Sequence, residues 1–455
     1  MKTFERGIHL EYNKELTQVK PIKEAAIPKR VILPLQMNLG CPNEPLVKIG
    51  DEVVEGQKLA DASKYVSAPI HASISGKVTK IEKIPNPCGF DVDAIVIEGG
   101  GEGAEKDVSS KQAAVSSIET LTPEEIRKIV REAGIVGLGG AAFPTHVKLT
   151  PPVDKKIDTI IINGCECEPY ITADHRLMLE RPVDIIFGAT AIAKATGATR
   201  IIFGIEDNKR DAIKILKSQL QTSNLKTNPK SQIPNSKQIE IVELKTKYPQ
   251  GGEKQLVKAI LNREVPSGGL PLDVGVVVNN VGTAVAIAEA IKDATALTKR
   301  VVTVTGSGIK DPQNMLVRIG TTFEEVINQC GGLVEDSTKI IMGGPMTGLA
   351  LSALDLPVMK STNCILVLTK KEVKLFEEMS CIRCGRCIKS CPIGLLPNFM
   401  ADYAKLKNWD GAEEYNVADC IECGCCAYVC PSRIPLVHYF KLAKKELQLR
   451  KAVCV

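Results

Sequence analysis

CIRCGRCIKSCP, residues 381–392, and CIECGCCAYVCP, residues 420–431, decide how this 455-residue chain is organised. Each stretch has the form C-x2-C-x2-C-x3-C-P, a spacing with which cysteine thiolates enclose a cubane [4Fe–4S] cluster. Iron in such clusters favours thiolate ligands, and the two-residue gaps let three sulfur atoms converge on one cluster. The sequence therefore predicts two [4Fe–4S] clusters in the last quarter of the chain.

The ligands of the two predicted clusters cross over between the runs, because the fourth cysteine of each run binds the other cluster in bacterial two-cluster ferredoxins. We expect the first cluster to be bound by Cys381, Cys384, Cys387 and Cys430. We expect the second to be bound by Cys420, Cys423, Cys426 and Cys391, which leaves Cys425 free. Zinc or disulfides are the alternative, but a tetrahedral zinc ion does not require a third and a fourth cysteine in both runs.

Composition limits the classes of partner. Sixteen cysteines, eight of them in cluster spacing, indicate a reducing compartment, because these thiols must stay available for iron. Aromatic residues make up 4%, which leaves little surface for stacking single-stranded nucleic acid. The net charge of +5 is spread without a long basic run, so we expect no nucleic-acid partner.

The sequence predicts no membrane segment. MKTFERGIHL at the start lacks the apolar stretch of a signal peptide. No run of about 18 uncharged apolar residues occurs, so we expect no transmembrane segment of the chain's own.

Short β-branched runs between residues 30 and 100 predict a small β module, with strands at 30–35, 44–50 and 94–100. The stretch from residue 47 resembles a lipoyl-type barrel-sandwich module, and Lys64 lies near the lipoyl lysine of such modules. The usual acidic neighbour is missing, so we expect an unmodified packing or docking module. Residues 100–120 are rich in glycine and serine and are predicted to be a linker.

Strand and helix patterns alternate from residue 122 to about 293, which predicts an α/β layer with a largely parallel sheet. A capping box at Thr122–Glu125 begins the first helix, and Gly134 ends it. The predicted strands are 158–163, 200–205, 239–244 and 274–279. Residues 221–238 are polar and interrupted by prolines, so we expect a mobile surface insertion.

Residues 300–370 predict a small α+β unit, with a hairpin at 299–311, a short helix in 322–332 and a strand in 363–371. KEVKLFEEM, residues 371–379, is predicted to be a helix that leads into the cysteine runs. Residues 436–453 predict a basic amphipathic terminal helix.

The glycine-rich stretch GLGGAAFPTHVKL, residues 137–149, contains G-x-G-x-x-A. A helix precedes it in place of a strand, which is the wrong context for a Rossmann turn. The loop nevertheless offers backbone amides without side-chain bulk, and Lys148 supplies a cation nearby. By itself the pattern fits a phosphate cradle and a tight packing turn equally well.

Polar side chains follow three of the predicted strands, where ligands bind in open α/β sheets. They are Glu166 and Glu168 in 163–178, Glu253 in 248–254, and Asn279, Asn280 and Thr283 in 278–284. Carboxylate, amide and hydroxyl groups on one sheet edge suit a nucleotide-like ligand.

These motifs, in this order, resemble the NADH-binding flavoprotein subunit of respiratory complex I, with its G-x-G-G-x-x-F-P-T loop, N-x-x-E-x-E-P run and NNV run. The resemblance implies that FMN is bound by Gly137, Gly139, Gly140, Lys148, Asn163, Glu166, Asn279, Asn280 and Thr283. It implies contacts with NAD(H) from Phe143, Glu168, Tyr248 and Glu253. Hydride transfer would be a property of FMN, with no catalytic side chain.

The chain departs from the complex I pattern at two positions near the implied flavin. Cys165 stands where that pattern has an aspartate, and Gly252 where it has a glutamate. Cys165 and Cys167 form a C-x-C that could also be a metal or redox pair, although no further cysteine spacing supports this.

Over nearly its whole length, apart from residues 221–238, the chain is similar to the family of C subunits of the Rnf electron-transport complex, a membrane ferredoxin:NAD oxidoreductase. The resemblance implies a multidomain α/β and α+β protein. Its four predicted parts are a barrel-sandwich β module (1–105), a Rossmann-like α/β FMN/NADH-binding domain (106–297), a soluble-ligand-binding β-grasp (SLBB) module (298–370) and a helical domain like a two-cluster ferredoxin (371–455).

On this resemblance, electrons are expected to pass between the two clusters, FMN and NAD(H) in a peripheral subunit of an ion-translocating complex. The subunit would lie on the cytoplasmic face of the membrane, with integral-membrane and peripheral partner subunits through which it reaches ferredoxin. One alternative is a soluble flavin/iron–sulfur cobalamin (corrin) reductase, which shares the motifs. Another is a non-enzymatic scaffold in which the glycine loop only packs.

Overall fold

A computed structural model describes residues 1–86, 89, 91–99, 118–225, 239–374 and 376–453. Most of the predicted linker at 100–120 and of the predicted insertion at 221–238 lies outside the described residues. Within those ranges, no helix combines the length and the apolar character needed to cross a membrane.

After a first strand, β1 (Ile22–Glu24), the N-terminal module is a sandwich of two small antiparallel sheets. One sheet contains β2 (Arg30–Pro34), β4 (Glu52–Val53), β7 (Gly76–Pro85) and β8 (Asp91–Gly99), in the order β2-β8-β7-β4. The other contains β3 (Glu44–Pro45), β5 (Lys58–Asp61) and β6 (Ile70–His71). Leu33 and Ile95 of the first sheet share a buried core with Leu59 and Ile70 of the second.

The prediction of a strand over 44–50 is wrong beyond Pro45. Leu46 and Ile49 are exposed, so the run has no continuous buried face. Gly50, with φ of +100°, turns the chain at the end of the run.

The α/β layer is built on a parallel sheet of β9 (Thr159–Gly164), β10 (Arg200–Glu206), β11 (Ile239–Leu244) and β12 (Val276–Asn280), in the order β11-β10-β9-β12. Its helices are α1 (Pro123–Glu132), α2 (Thr145–Lys148), α3 (Ala173–Glu180), α4 (Pro182–Thr196), α5 (Arg210–Leu225), α6 (Glu253–Leu261) and α7 (Val281–Lys292). All four predicted strands and the Thr122 capping box are confirmed, within two residues at each strand end.

Both faces of this sheet are buried, because successive side chains of a strand point to opposite faces. Ile160 and Ile162 pack into the large core that contains residues of α4 and α7, whereas Ile161 packs against residues of α6. A Cβ at Gly188 of α4 would lie 1.9 Å from the carbonyl oxygen of Ala284 in α7. Glycine therefore allows these two helices to pack backbone against backbone.

The third structural unit, after the sandwich and the α/β layer, contains one six-stranded sheet, called the third sheet below, with the order β1-β14-β13-β17-β15-β16. It adds β13 (Lys299–Thr305), β14 (Gln313–Arg318), β15 (Ser337–Met342), β16 (Leu349–Leu351) and β17 (Cys364–Thr369), with α8 (Phe323–Gln329) packed on it. The predicted helix and strand are present. A hairpin also begins at residue 299, but its second strand, β14, starts at Gln313 and so lies beyond the predicted range of 299–311. The first strand of the chain thus pairs with the third sheet and not with the sandwich that follows it.

The C-terminal part is helical, with α9 (Arg386–Ser390), α10 (Pro397–Lys405), α11 (Trp409–Glu414), α12 (Cys425–Tyr428) and α13 (Leu436–Val453). The prediction of a helix over 371–379 is wrong: the described residues of this stretch form no helix. The chain instead lies along the cluster fold, where Met379 N donates to Ser432 O at 2.9 Å and Glu378 pairs with Lys405. These tertiary contacts override the local helix propensity.

The first 20 residues connect the α/β layer to the rest of the protein. Ile8 forms a bridge with Tyr248, and the carbonyl oxygen of Tyr12 accepts a hydrogen bond of 2.7 Å from Tyr170 N. The hydroxyls of Thr17 and Thr172 lie 2.7 Å apart. The segment therefore packs against the loop that follows β9, at Tyr170 and Thr172.

Candidate functional site

A cavity of about 100 Å³ lies at the carboxyl ends of β9 and β12. It is lined by Gly139, Asn163, Glu166, Cys167, Glu168, Ile171, Ala173, Asp174, Gly251, Asn280 and Asn363. The fold thus brings the glycine loop and residues from all three predicted strand-end clusters to one place. Gly139, Gly140 and Ala141 are exposed, so the glycine loop is accessible from solvent.

The glycine loop is fixed from below by contacts of its backbone. Leu138 N donates to Thr283 Oγ1 at 2.9 Å, and Gly137 N donates to Phe143 O at 2.8 Å. The buried guanidinium of Arg300 donates to Leu138 O at 3.2 Å. Thr283 and Gly137 therefore shape the loop and do not line the cavity.

Glycine at the cavity wall lets the backbone approach closely. A Cβ at Gly139 would lie 3.4 Å from Cβ of Asn280, and one at Gly251 would lie 3.3 Å from Cβ of Cys165 and Sγ of Cys167. Gly140 has φ of +129°, which favours glycine. The wall is therefore closely packed at Gly139 and Gly251 and open at Gly140, and together these glycines form a cradle. Backbone amides that are free of side-chain bulk suit the binding of an anion such as a phosphate group.

Two carboxylates meet beside the cavity. The side chain of Glu166 caps α3, since its Oε1 accepts from Asp174 N at 2.6 Å and its Oε2 from His175 N at 3.2 Å. Asp174 Oδ2 accepts a hydrogen bond of 2.6 Å from Asn280 Nδ2. Burial, together with the charge of Glu166, raises the pKa of Asp174 to about 7.

Glu168 lines the cavity, but its carboxylate is bound to a loop of the third sheet. Oε2 accepts from Met346 N at 3.1 Å, and Oε1 accepts from Thr347 N at 3.0 Å and from Thr347 Oγ1 at 2.5 Å. Burial raises the pKa of Glu168 despite these donors. The carboxylate therefore ties the α/β layer to the third sheet.

Lys148 and Glu253 form an ion pair at the end of β12, with 2.5 Å between Nζ and Oε1. Lys148 Nζ also donates to Val278 O at 3.2 Å. Asn279 beside it is buried, and the structure describes no hydrogen-bond partner for its Nδ2. Asn163 Nδ2 donates to Gly251 O at 2.8 Å and so holds the second glycine turn against β9.

The structure does not bring Tyr248 or Phe143 to the cavity. Tyr248 is 2% exposed, and its hydroxyl donates a hydrogen bond of 2.8 Å to the carbonyl oxygen of Cys423. Phe143 is half-buried beside the glycine loop. Among the four residues predicted to contact NAD(H), only Glu168 lines the cavity.

Two buried lysines under the loop that follows β9 are not revealed by any sequence motif. Lys14 Nζ donates to the carbonyl oxygens of Glu166, Glu168 and Ile171 at 2.8, 3.0 and 2.5 Å. Burial lowers the pKa of Lys14 to about 8. Lys209 Nζ donates to Cys165 O at 2.5 Å. Nothing in the polar stretches around these lysines marks them, because their role arises from long-range contacts.

Cys165 and Cys167 are buried thiols with different neighbours. Cys165 Sγ contacts Gly204 O at 3.7 Å, and Cys167 Sγ accepts from Gly251 N at 3.3 Å. Burial raises the pKa of both thiols. Among the described residues, no group of three or more His, Cys, Asp or Glu side chains lies close enough together to hold a single metal ion, either at this pair or at the two cysteine runs.

The cysteines of the two runs line two separate cavities. One, of about 290 Å³, is lined by Cys381, Cys384, Cys387 and Cys430. The other, of about 20 Å³, is lined by Cys391, Cys420, Cys423, Cys425 and Cys426. The grouping follows the crossed ligand sets. A single zinc ion needs its ligands close around one point. The cavity of about 290 Å³ leaves more space than this between its cysteines and so suits a polynuclear cluster.

The two cysteine loops have matching backbones. Arg383 and Glu422 have φ of 54° and 55°, and their amides approach Cys381 Sγ and Cys420 Sγ, each at 3.4 Å. Amide donors to sulfur stabilise thiolate charge and tune cluster potentials. Cys381 and Cys384 are exposed, whereas Cys425 and Cys426 are buried. The first cluster site therefore faces solvent, and the second faces the α/β layer.

Four stretches of the chain match known domain families. Residues 2–102 match the RnfC barrel sandwich hybrid domain, 130–289 the Nuo51 FMN-binding domain, 301–350 the SLBB domain and 374–431 the 4Fe-4S dicluster domain. These matches confirm the predicted fold class of each part.

Curated relatives match nearly the whole chain. The chain is 46% identical over 453 residues to the C subunit of the proton-translocating ferredoxin:NAD(+) oxidoreductase complex of Clostridium ljungdahlii, covering 98% of this chain and 94% of the relative. It is 45% identical over 445 residues to the C subunit of the Na(+)-translocating ferredoxin:NAD(+) oxidoreductase complex of Acetobacterium woodii, covering 98% and 97%.

A more distant likeness is found among solved structures. A chain of an NAD+-reducing [NiFe]-hydrogenase in its H2-reduced state aligns with a TM-score of 0.50 and 17% identity. The alignment covers 74% of this chain and 63% of the hydrogenase chain. This likeness shows a shared fold.

Proposed function

The chain belongs to the family of C subunits of ion-translocating ferredoxin:NAD(+) oxidoreductase (Rnf) complexes, and we propose that it transfers electrons between NAD(H), FMN and two [4Fe–4S] clusters. One observation carries the proposal. Tyr248 lies in one buried cluster with Cys167 of the cradle and Cys425 of the second cysteine run, and its hydroxyl donates to Cys423 O at 2.8 Å. A flavin bound in the cradle would then lie next to the second cluster, which supports electron transfer between them.

FMN supplies the conversion of a hydride into two single electrons, and the residues of the chain bind and orient it. The exposed amides of Gly139 and Gly140 are proposed to bind its phosphate, together with the cation of Lys148. Asn163, Glu166 and Asn280 supply polar contacts on the cavity side, and Asn279 Nδ2 offers a buried donor without a partner among the described residues. Gly137 and Thr283 hold the loop in position.

The four residues proposed to contact NAD(H) are not equally supported by the geometry of the cavity. Glu168 lines the cavity, whereas Glu253 is paired with Lys148 and follows Gly251, a lining residue, by two positions. Tyr248 is buried, Phe143 is half-buried beside the glycine loop, and neither lines the cavity. We therefore retain Glu168 and Glu253 as candidates for contacts with NAD(H). Tyr248 is assigned to the contact with Cys423 of the second cysteine run.

The two clusters are proposed to bind at the two cysteine cavities, with the crossed ligand sets given above. The second cluster is then adjacent to the flavin cradle, and the first lies at the surface among exposed Met379, Ile382 and Phe399. Electrons would enter or leave through the first cluster. The domain boundaries that we propose lie at residues 105, 297 and 370.

The relatives are named as C subunits of ion-translocating complexes, which supports partner subunits for this chain. We propose that it is a peripheral subunit on the cytoplasmic face, where NAD(H) is available, and that it reaches ferredoxin through partner subunits. The names of the curated relatives favour this function over a soluble corrin reductase.

Anaerobic purification with and without the membrane fraction tests the proposal. We expect the chain to co-purify with integral-membrane partners and to reduce an artificial acceptor with NADH. It should not reduce NAD+ with ferredoxin when alone. Full ferredoxin-dependent NAD+ reduction by the isolated chain, without membrane association in its native cell, would favour the corrin-reductase alternative.

A further inference from the structure

Tyr248 connects the candidate flavin cavity with the second cysteine run. Its ring belongs to a buried apolar cluster that contains Cys167, which lines the flavin cavity, and Cys425 of the second run. Cys423, a proposed ligand of the second cluster, packs against the same group. The ring thus fills the space between the two proposed redox sites.

Hydrogen bonds hold both ends of this connection. The hydroxyl of Tyr248 donates to Cys423 O at 2.8 Å. On the other side, Gly251 N, in the same turn, donates to Cys167 Sγ at 3.3 Å. The backbone of Tyr248 is fixed in turn by Ile8, since each residue donates its amide to the carbonyl oxygen of the other at 2.9 Å.

From this arrangement, and resting on the proposed function, we infer that Tyr248 is a positioning residue that sets the electronic coupling between the flavin and the second cluster. The step that it serves moves one electron, which the reduced flavin loses and the oxidised cluster gains. No bond of the protein forms or breaks. Electron tunnelling slows as the gap between redox centres widens or loses packed atoms, and a close-packed ring keeps that gap filled.

The hydroxyl has a second effect. The potential of a cluster depends on hydrogen bonds to its sulfur atoms, on net charge and on solvent exposure. The Tyr248 hydroxyl does not donate to a sulfur atom but to the carbonyl oxygen of Cys423, and it thereby withdraws electron density from the backbone of a proposed ligand residue. Its removal is therefore expected to lower the reduction potential of the second cluster and to leave the first unchanged.

Two variants separate the hydroxyl from the ring. Tyr248→Phe removes only the hydrogen bond to Cys423, and Tyr248→Leu also removes the ring. Tyr170→Phe is the matched control, because its hydroxyl bonds Glu372 Oε1 at 3.3 Å and lies outside the connection. Each full-length chain is purified anaerobically, assayed for flavin and iron, and examined by redox titration with electron paramagnetic resonance and by rapid mixing with NADH.

We expect Tyr248→Phe to lower the potential of the second cluster. In Tyr248→Leu, electron transfer from flavin to cluster should slow on the order of tenfold, equivalent to about 1.4 kcal/mol in barrier. The bleaching of the flavin by NADH should be unchanged in both Tyr248 variants. The control Tyr170→Phe should keep the original cluster potential and the original rate of electron transfer. Unchanged second-cluster potential and unchanged transfer in cofactor-replete variants would overturn the inference.

Failure of the inference and failure of the proposed function give different results. Failure of NADH to bleach the flavin would count against the proposed function. The redox titration does not use NADH, so it would still test the role of Tyr248 in that case. If Tyr248→Leu did not assemble the second cluster, the potential measured in Tyr248→Phe would decide.

Discussion

The side-chain amide of Asn280 donates a hydrogen bond of 2.6 Å to Oδ2 of Asp174, so the start of α7 meets the first turn of α3 at the wall of the candidate flavin cavity. Asp174 is buried beside a second carboxylate, Glu166, and both effects favour its neutral form. The cavity therefore contains a carboxyl group whose charge changes near neutral pH.

Asp174 predicts a pH dependence of stability. Its pKa is raised from 3.8 to about 7 in the folded protein, so the folded chain binds more protons than the unfolded chain between these values. The free energy of unfolding should therefore fall as pH rises through this window, and Asp174→Asn should remove that part of the slope. Urea unfolding at several pH values measures it. Asp311→Asn, at an exposed site with a lowered pKa, is the control. An unchanged slope in Asp174→Asn would refute the assignment.

Gly139→Val is predicted to abolish flavin binding while iron content stays normal. A Cβ at Gly139 already reaches 3.4 Å from Asn280, and the two further methyl groups of valine would enter the cradle. Gly139→Ala, which adds only that Cβ, should keep most of the flavin. Flavin and iron assays on both variants check this, and normal flavin content in Gly139→Val would remove the glycine loop from the site.

Crossed ligation predicts which cluster each cysteine variant damages. Cys391→Ala should damage the second cluster, although Cys391 stands in the first run, because it lines the second cavity. Cys425→Ser should retain both clusters, since its thiol contacts Tyr248 O at 4.0 Å and is not assigned as a ligand. Iron assay and electron paramagnetic resonance distinguish the clusters. Loss of a whole cluster in Cys425→Ser but not in Cys426→Ser would show that the ligand register is wrong.

Glu168→Ala is predicted to destabilise the contact between the α/β layer and the third sheet. Three donors of Met346 and Thr347 would lose their acceptor, which we expect to lower the free energy of unfolding by about 1–3 kcal/mol. Thr347→Val removes one donor and should cost about 1 kcal/mol. Urea unfolding of both variants measures these losses, and an unchanged free energy of unfolding in Glu168→Ala would show that the contact does not stabilise the fold.

Binding measurements on Glu168→Ala test its second proposed role. If the carboxylate also contacts NAD(H), affinity for NADH should fall more than affinity for FMN. An equal loss of affinity for NADH and for FMN would mean that Glu168 serves only the contact between the α/β layer and the third sheet.

Local patterns are enough to predict much of this protein. The strands at 158–163 and 200–205 are β-branched runs long enough to be buried on both faces, and Thr122 carries its capping partner three residues away. The cysteine runs encode their own ligand spacing. In each of these cases the determining contacts lie within a few residues.

The remaining features depend on contacts between distant residues. Lys14 reaches carbonyl groups more than 150 positions away, and Tyr248 reaches Cys423 across 175. The non-helical path of residues 376–379 depends on partners such as Ser432. No periodicity reports such contacts, which is why local patterns predict a helix in this segment. The assignment of Tyr248 to the dinucleotide rests on the resemblance to the complex I subunit and not on a local pattern.

The central claim is that this chain conducts electrons from NADH through a flavin to two clusters. It is tested most directly by stepwise anaerobic addition of NADH to purified chain, with flavin absorbance and cluster resonance followed together. We predict one FMN and about eight iron atoms per chain. The flavin should bleach first, and cluster signals should then grow. Chain with full flavin and iron content whose clusters stay oxidised while the flavin is reduced would contradict the account.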